Sequence, residues 1–364
     1  MNIKPVIFTS GMLASALHGP AAHAEAAGPV AEDRFQRSSV PLSTLAIDLG
    51  EKPSPPARAA AGPASNAVAV PAVLLSQQPL PAALPQGLEH IEGNRFWTDT
   101  LPGQGFDLKA LRQAEFFSMQ LQGARAEDAL LAAGAALVLG TPSIYVVEDR
   151  KQLPWFLREA DVSFPHQVKV LAPSQVESEL PQAAAALRPE TPVLQGRLPG
   201  PADSFIGCLM SGLSEEQYQQ GGSHLRAIAQ SMKDHGGVDS PFCEGIAVKS
   251  TNSFGTPAHS LLMDLEAVQN SRHCVFYVFD SQSRPSGMWV ELGAALALEK
   301  PSVLLTPSLE ALPPVLRQQP WPENLQVVVY DSHEALMRQL QDPQQAPALV
   351  RPTPAGIRSA PAGE

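Results

Sequence analysis

The segment GAALVLGTPSIYVV at residues 134–147 recurs in altered form as GAALALEKPSVLLT at residues 293–306, 159 positions further along the chain. This repeat is the starting point for predicting the fold. Further pairs keep this spacing: Leu153-Pro154 with Leu312-Pro313, Leu157-Arg158 with Leu316-Arg317, and Val168 and Val170 with Val327 and Val329. Upstream, DLKAL from Asp107 matches DLEAV from Asp264 at a spacing of 157. Matches that keep one order along the chain predict a tandem duplication.

Each copy shows apolar strands alternating with helices. A buried strand is predicted at EFFSMQL (115–121) in the first copy and at HCVFYVF (273–279) in the second. Only the second copy has a front half, with a strand in SFIGCLMSG (204–212) and an amphipathic helix over 224–235. The pattern predicts an α/β fold, a flavodoxin/Rossmann-like sandwich with a parallel sheet between helices, in which the first copy is degenerate.

Proline content divides the rest of the chain. The protein has 36 prolines and only 17% charged residues, which is typical of long segments that do not pack. Residues 25–95 are rich in proline and alanine without helical or strand periodicity, so we expect a disordered linker there. The predicted division is a leader at 1–24, this linker, a degenerate first copy at 96–200, a second domain at 201–345 and a disordered tail at 346–364.

The N-terminus has the pattern of a secretory signal peptide. Lys4 precedes a mostly apolar stretch, Val6 to Leu17, and Ala22-His23-Ala24 offers a small-residue cleavage site before Glu25. We therefore expect an exported protein, whether periplasmic, secreted or injected. A disordered leader on a cytoplasmic protein is the alternative.

Charge and cysteine content exclude several classes of partner. The net charge is −11 and no cluster of lysine and arginine occurs, so neither nucleic acid nor an anionic membrane surface is expected as a partner. No apolar run is long enough to span a bilayer. The three cysteines are odd in number and lack metal-ligand spacing, which favours isolated or buried thiols over a disulfide framework. We expect no metal and no cofactor.

The stretch RPSGMWVELG (284–293) is the candidate site, because it joins a buried strand to a helix. Ligands bind at the carboxyl ends of parallel strands, where such a loop lies. Gly287 lets the backbone approach a ligand, and amides at the helix start can hold a sugar hydroxyl or an anion. Glu291 lies in or near the first turn, where the helix dipole favours the ionised carboxylate that attack on an anomeric carbon requires. A structural acid at a helix start is the alternative for this spacing taken alone.

The neighbouring motifs favour the chemical interpretation. SFIGCLMSG, MDLEAVQNS (263–271) and PSGMWVELGAALALEKP (285–301) resemble, in that order, motifs of the nucleoside 2-deoxyribosyltransferases and their relatives, the 2′-deoxynucleoside 5′-phosphate N-hydrolases. By this resemblance, Glu291 is the nucleophile and Asp264 is the carboxylate that assists proton transfer and orients the sugar. The resemblance further implies that five residues contact the substrate: Gly207, Cys208, Met210, Ser286 and Gly287.

Departures from the family pattern bear on the substrate and on the first copy. The serine and arginine that grip a 5′ phosphate in the hydrolases fall at Cys208 and Met210, so an unphosphorylated substrate is expected. In the first copy, Ala132 occupies the position of Glu291 while Asp107 is retained. We expect that copy to be inactive and to serve as the partner in an internal pseudo-dimer, because the family forms oligomers that share active-site walls; a homo-oligomer is also compatible.

Three functions follow from these observations. The first is cleavage or transfer of an N-glycosidic bond in a nucleoside, by a hydrolase or a transferase. The second is cleavage of NAD by a toxin or effector similar to Toll/interleukin-receptor domains. The third is a non-catalytic nucleotide-binding module. All three predict a small nucleoside or nucleotide ligand.

Overall fold

A computed structural model describes one compact unit of the chain. The described residues are 73–75, 89–90, 108–113, 116–120, 126–190, 192, 194–209, 213–248, 254–280, 286–317 and 321–352. None of the helices within these ranges is both long enough and apolar enough to cross a membrane. The predicted leader, together with Asp107 and Met210, lies outside the described residues.

Two parallel sheets of five strands form the framework. The strands are β1 (Val73–Leu75), β2 (Glu89–His90), β3 (Phe116–Gln120), β4 (Ser143–Val146), β5 (Val168–Leu171), β6 (Ser204–Cys208), β7 (Pro241–Phe242), β8 (Cys274–Tyr277), β9 (Ser302–Thr306) and β10 (Leu325–Val329). The first sheet has the order β2-β1-β3-β4-β5, and the second has the order β7-β6-β8-β9-β10. Each sheet thus follows the order 2-1-3-4-5 along its own stretch of chain, the flavodoxin-like doubly wound arrangement. The α/β fold with parallel sheets is confirmed.

Helices connect the strands as parallel pairing requires. They are α1 (Leu108–Gln113), α2 (Ala126–Leu139), α3 (Ala160–Ser163), α4 (Pro173–Ala186), α5 (Glu215–His235), α6 (Glu244–Ala247), α7 (Pro257–Asn270), α8 (Gly287–Ala297), α9 (His333–Gln341) and α10 (Ala346–Val350). Hydroxyl side chains start several of them: Ser214 caps α5, Thr256 caps α7 and Ser286 caps α8.

The folded region extends beyond the predicted boundaries at both ends. Strands β1 and β2 lie inside residues 25–95, which the sequence analysis assigns to a linker, and they pair with the first sheet. Helix α10 lies inside the predicted tail, 346–364, and buries Leu349 and Val350 in the apolar core. The sequence analysis does not predict these elements, because strands of two or three residues and a five-residue helix are too short to give a periodic pattern.

The strand registers correct one detail of the repeat. Phe117 is level with Ser143 in the first sheet, and Cys274 is level with Ser302 in the second. On the next strand, however, Ser143 is level with Val168 whereas Ser302 is level with Leu325. Val168 thus has Leu325, and not the predicted Val327, at the corresponding place in the second ladder.

Helices α2 and α8 join the two sheets by direct backbone contact. A Cβ atom at Gly134 would lie 1.8 Å from the Val290 carbonyl oxygen, and a Cβ atom at Gly293 would lie 1.9 Å from the Leu131 carbonyl oxygen. Glycine at both positions therefore permits a separation that no other residue allows. The apolar cluster around this contact contains residues of both sheets, whereas a second cluster lies between the second sheet and α5, α9 and α10.

Candidate functional site

A cavity of about 490 Å³ opens at the carboxyl end of the second sheet. Its walls come from the end of β6, the segment around α6, helix α7 and the start of α8, together with a 3₁₀ turn, Trp155–Glu159, from the first half of the chain. The position agrees with the rule that parallel sheets bind ligands beyond the carboxyl ends of their strands.

Glu291 lies one residue beyond the first turn of α8, whose cap is Ser286. Its side chain is buried, with 8% of the surface exposed, and its Oε2 atom would lie only 2.7 Å from a Cβ atom at Gly207. The absence of a side chain at Gly207 therefore lets the carboxyl group of Glu291 lie against the end of β6. Gly207 lies at the cavity, and its predicted contact with a substrate stays a prediction.

The expected ionisation of Glu291 is not found. Burial, and secondarily the charge of Glu244, raises the pKa of Glu291 to about 8. The helix dipole acts mainly within the first turn, so it does not offset the loss of solvation around this carboxyl group. At neutral pH this shift favours the protonated form of Glu291.

Asp264 lies on α7 and faces the same cavity. It is 5% exposed, and its Oδ1 atom has no hydrogen-bond partner among the described residues. Burial raises the pKa of Asp264 well above its usual range, and the charges of Glu291 and Glu244 add to the effect. The two predicted catalytic residues are therefore brought into one cavity, where they are electrostatically coupled.

Glu244 is a third acid in the cavity, and the sequence analysis missed it. It is the first residue of α6, and only Cys243 separates it from the two-residue strand β7. The Ser260 hydroxyl donates a hydrogen bond of 2.7 Å to Glu244 Oε1, and burial raises the pKa of Glu244. No sequence pattern marks this position, because the strand that places it has only two residues.

The remaining predicted substrate contacts have mixed outcomes. Cys208 and Ser286 line the cavity, whereas Met210 lies outside the described residues. Gly287 also lines it, but a Cβ atom there would lie 1.7 Å from the Phe156 ring. The absence of a side chain at Gly287 thus lets the Phe156 ring, from the first half of the chain, pack against its backbone. The predicted approach of a ligand to the same backbone stays a prediction.

Aromatic side chains form one side of the cavity. The Trp155 and Phe254 rings meet at a centroid distance of 5.6 Å and an interplanar angle of 55°. Tyr218 contacts the edge of Phe254 at 6.3 Å, and its hydroxyl donates a hydrogen bond of 2.9 Å to the Val248 carbonyl. Trp289 is fully buried in the core and is not part of this wall.

The thiols of the site are protonated. Burial raises the pKa of Cys243 to about 12, and it raises the pKa of Cys208 well above its usual value. None of the three cysteines forms a disulfide, and no three metal-ligating side chains among the described residues are placed to hold a metal ion.

No protein-family model, curated protein or solved structure matches this chain. The interpretation of the cavity accordingly depends on its geometry, its charges and the sequence motifs.

Proposed function

We propose that this protein cleaves or transfers the N-glycosidic bond of a nucleoside-type substrate, with Glu291 as the nucleophile. The observation that carries the proposal is the placement of Glu291 and Asp264, both buried, in one cavity at the carboxyl end of a parallel sheet. The motifs that resemble the nucleoside 2-deoxyribosyltransferases contain these two acids, and their local structure is compatible with the roles that the resemblance implies.

The chemistry needs two carboxyl groups in different protonation states. Cleavage of the bond between C1′ and the base nitrogen builds positive charge on the sugar, so an ionised Glu291 attacks C1′. A protonated neighbour supplies a proton to a base that leaves as an anion. Asp264 suits the second role, because burial and its acidic neighbours raise its pKa well above the usual range and so favour the protonated form.

We also propose that the two halves arose by tandem duplication of one flavodoxin-like unit. Two features support this proposal. The two sheets share one strand order, and a contact from a residue of the first half to a residue of the second half has a counterpart between the corresponding residues of the other half. Gly134 meets Val290 as Gly293 meets Leu131, and both pairs are related by the spacing of 159 residues.

A second pair of contacts supports the same exchange. The Phe156 ring packs on Gly287, while the Val315 amide donates a hydrogen bond of 3.0 Å to Asp128 Oδ1. Phe156 and Val315 occupy corresponding positions, as do Asp128 and Gly287. In this proposal the first copy is inactive, with Ala132 in place of Glu291, and acts as a built-in partner that supplies one wall of the site.

A non-catalytic nucleotide-binding module is the second candidate. The observation that favours it is the burial of Glu291, which raises its pKa to about 8, since a protonated carboxyl group is a poor nucleophile. Under this alternative the cavity binds a nucleoside or nucleotide without cleaving it.

The test is an assay of base release. The full-length protein is incubated with a panel of nucleosides and with NAD, with and without a second base as acceptor, and the products are separated by chromatography. We expect base release that is lost in Glu291→Gln and retained in Glu299→Gln, a matched change at an exposed acid just beyond α8. Ligand binding without base release from any substrate would favour the non-catalytic module.

A further inference from the structure

The charge of the cavity is strongly one-sided. Its described lining contains three carboxyl groups, those of Glu244, Asp264 and Glu291, and no lysine, arginine or histidine. Ser260 donates a hydrogen bond to Glu244, but a neutral hydroxyl does not balance a buried charge. The charge of His259, at the start of α7, acts on Glu244 and only partly offsets its burial. Ionisation of Glu291 and Asp264, deeper in the cavity, is opposed unless a positive group binds beside them.

Two further features of the cavity point to a ligand. Asp264 Oδ1 is buried and has no hydrogen-bond partner among the described residues, although natural proteins satisfy nearly all such atoms. Trp155 and Phe254, both half-buried, present aromatic rings to the same space. Aromatic faces attract flat cations, and the attraction grows when the site excludes water.

We infer that the preferred substrate is a nucleoside whose base carries a fixed positive charge on the glycosidic ring system, such as a pyridinium or an N7-alkylated purine. Its reaction rests on the proposed N-glycosidic function. The cationic ring would lie against Trp155 and Phe254, within reach of the carboxyl groups.

Such a substrate removes the conflict between burial and nucleophilicity. A cation beside Glu291 favours the carboxylate form, so binding itself releases the proton and produces the nucleophile. None of the titratable groups that face Glu291 from neighbouring elements brings a positive charge: they are Asp264 on α7, Glu244 on α6, Cys208 on β6, Cys243 after β7 and Cys274 on β8. Of these, the charge of Glu244 adds to burial in raising the pKa of Glu291.

The steps balance without a general acid for the leaving base. A Glu291 carboxylate oxygen bonds to C1′, and the electron pair of the C1′–N bond moves to the ring nitrogen, so that the base leaves neutral. Water then attacks C1′, breaks the ester to Glu291 and passes a proton to the solvent through Asp264. The sum is a cationic nucleoside plus water giving a neutral base, the free sugar and one proton.

Binding is the primary test, because a quaternised base is a better leaving group even without an enzyme. Calorimetric titrations compare 1-methylnicotinamide, a cation that cannot be cleaved, with nicotinamide, which differs by one methyl group and the charge. At pH 8.5 we expect the cation to bind at least about tenfold tighter. Its affinity should rise between pH 6 and pH 8.5 while that of nicotinamide stays constant. Equal affinities, or tighter binding of nicotinamide, would overturn the inference.

Variants identify the groups responsible. Glu244→Gln should reduce the preference for the cation, whereas Glu299→Gln should leave it unchanged, and thermal unfolding checks that both fold. Arg284, which lies outside the described residues, is the nearest cation in sequence to Ser286. If the Arg284→Gln protein prefers the cation and the wild type does not, the Arg284 guanidinium already balances the charge of the acids in the wild type. That result would refute the inference.

Turnover separates this inference from the proposed function. For each nucleoside, the enzymatic rate of base release is divided by the rate of its uncatalysed hydrolysis. The nucleosides are nicotinamide riboside, 7-methylinosine and inosine, and the first two distinguish pyridinium from purine cations. A larger ratio for either cation supports the inference. Equal ratios contradict it while leaving N-glycosidase activity intact. Cation binding without any base release contradicts the proposed function and leaves only the binding preference.

Discussion

Gly293→Ala is the sharpest test of the contact between the two halves. An alanine inside a helix normally stabilises it by up to about 1 kcal/mol relative to glycine, because the unfolded chain loses freedom. Here we expect the opposite sign. The new methyl carbon would lie 1.9 Å from the Leu131 carbonyl oxygen, far inside contact distance, and that oxygen belongs to a backbone that cannot rotate away.

The magnitude follows from how far the helices must part. A methyl carbon needs more than 3 Å from an oxygen, so α2 and α8 would have to separate by about 1 Å or more, with loss of packing along both. Overpacking of a core costs about 1–3 kcal/mol and sometimes more. Because the helices must part along their whole contact, we expect the upper end of this cost, about 3 kcal/mol or more. After the helix-propensity gain of up to about 1 kcal/mol, a net loss of about 2 kcal/mol or more remains, or a decrease in Tm of roughly 4–8 °C or more for a unit of this size.

The assay is thermal and urea unfolding of wild type and variant, with Gly222→Ala as the control. Gly222 lies inside α5, where a Cβ atom would meet only the end of the Arg226 side chain at 3.6 Å. We expect the control to be neutral or stabilising and Gly134→Ala to resemble Gly293→Ala. A Gly293→Ala protein as stable as wild type would refute the described backbone contact.

Three further predictions concern the site. Glu291→Gln should be more stable than wild type by about 1–3 kcal/mol above pH 8 and equally stable near pH 4.5, because a pKa raised from 4.5 to about 8 makes the wild type lose stability as pH rises through this window. At about 1.4 kcal/mol per pH unit, the upper bound of this loss is near 5 kcal/mol. Urea-unfolding free energies of the two proteins that change equally with pH would contradict this. Asp264→Asn should lower kcat/KM for base release from a neutral nucleoside such as inosine about 10²–10⁴-fold, as loss of a general acid does, and an unchanged value would exclude that role. A nucleoside should be preferred over its own 5′-monophosphate in kcat/KM, because Cys208 and Met210 replace the phosphate-gripping residues of the resembling hydrolases; the reverse preference would show another phosphate site.

The parallel strands of the second half, except the two-residue β7, could be predicted from the sequence, because its apolar stretches are regular and alternate with helices. The front half of the first sheet could not. Its strands, Val73–Leu75 and Glu89–His90, are too short to show alternation and lie in a proline-rich segment. Pairing with the neighbouring strand, which is a long-range contact, gives them their conformation.

The site shows the same division between local and long-range information. Glu291 and Asp264 stand in recognisable motifs, so their meeting at one end of the sheet could be predicted. Glu244 and the Trp155 side chain reach the cavity only through tertiary packing of other segments. The raised pKa of Glu291 could not be predicted from the sequence either. The position of Glu291 in the helix is local information, whereas its loss of solvation depends on everything packed around the side chain.

Trapping of a glycosyl-enzyme tests the central claim most directly. A 2′-deoxy-2′-fluoroarabino nucleoside, prepared with a pyridinium and with a purine base, slows breakdown of the intermediate because fluorine destabilises the positive charge at C1′. Digestion and peptide mass spectrometry then locate the sugar. If Glu291 is the nucleophile, the peptide that contains it should gain the mass of one fluorinated sugar, and the Glu291→Gln protein should show no such gain. Base release with the sugar attached to another residue, or with no attached sugar under conditions that trap a known glycosyl-enzyme, would contradict it.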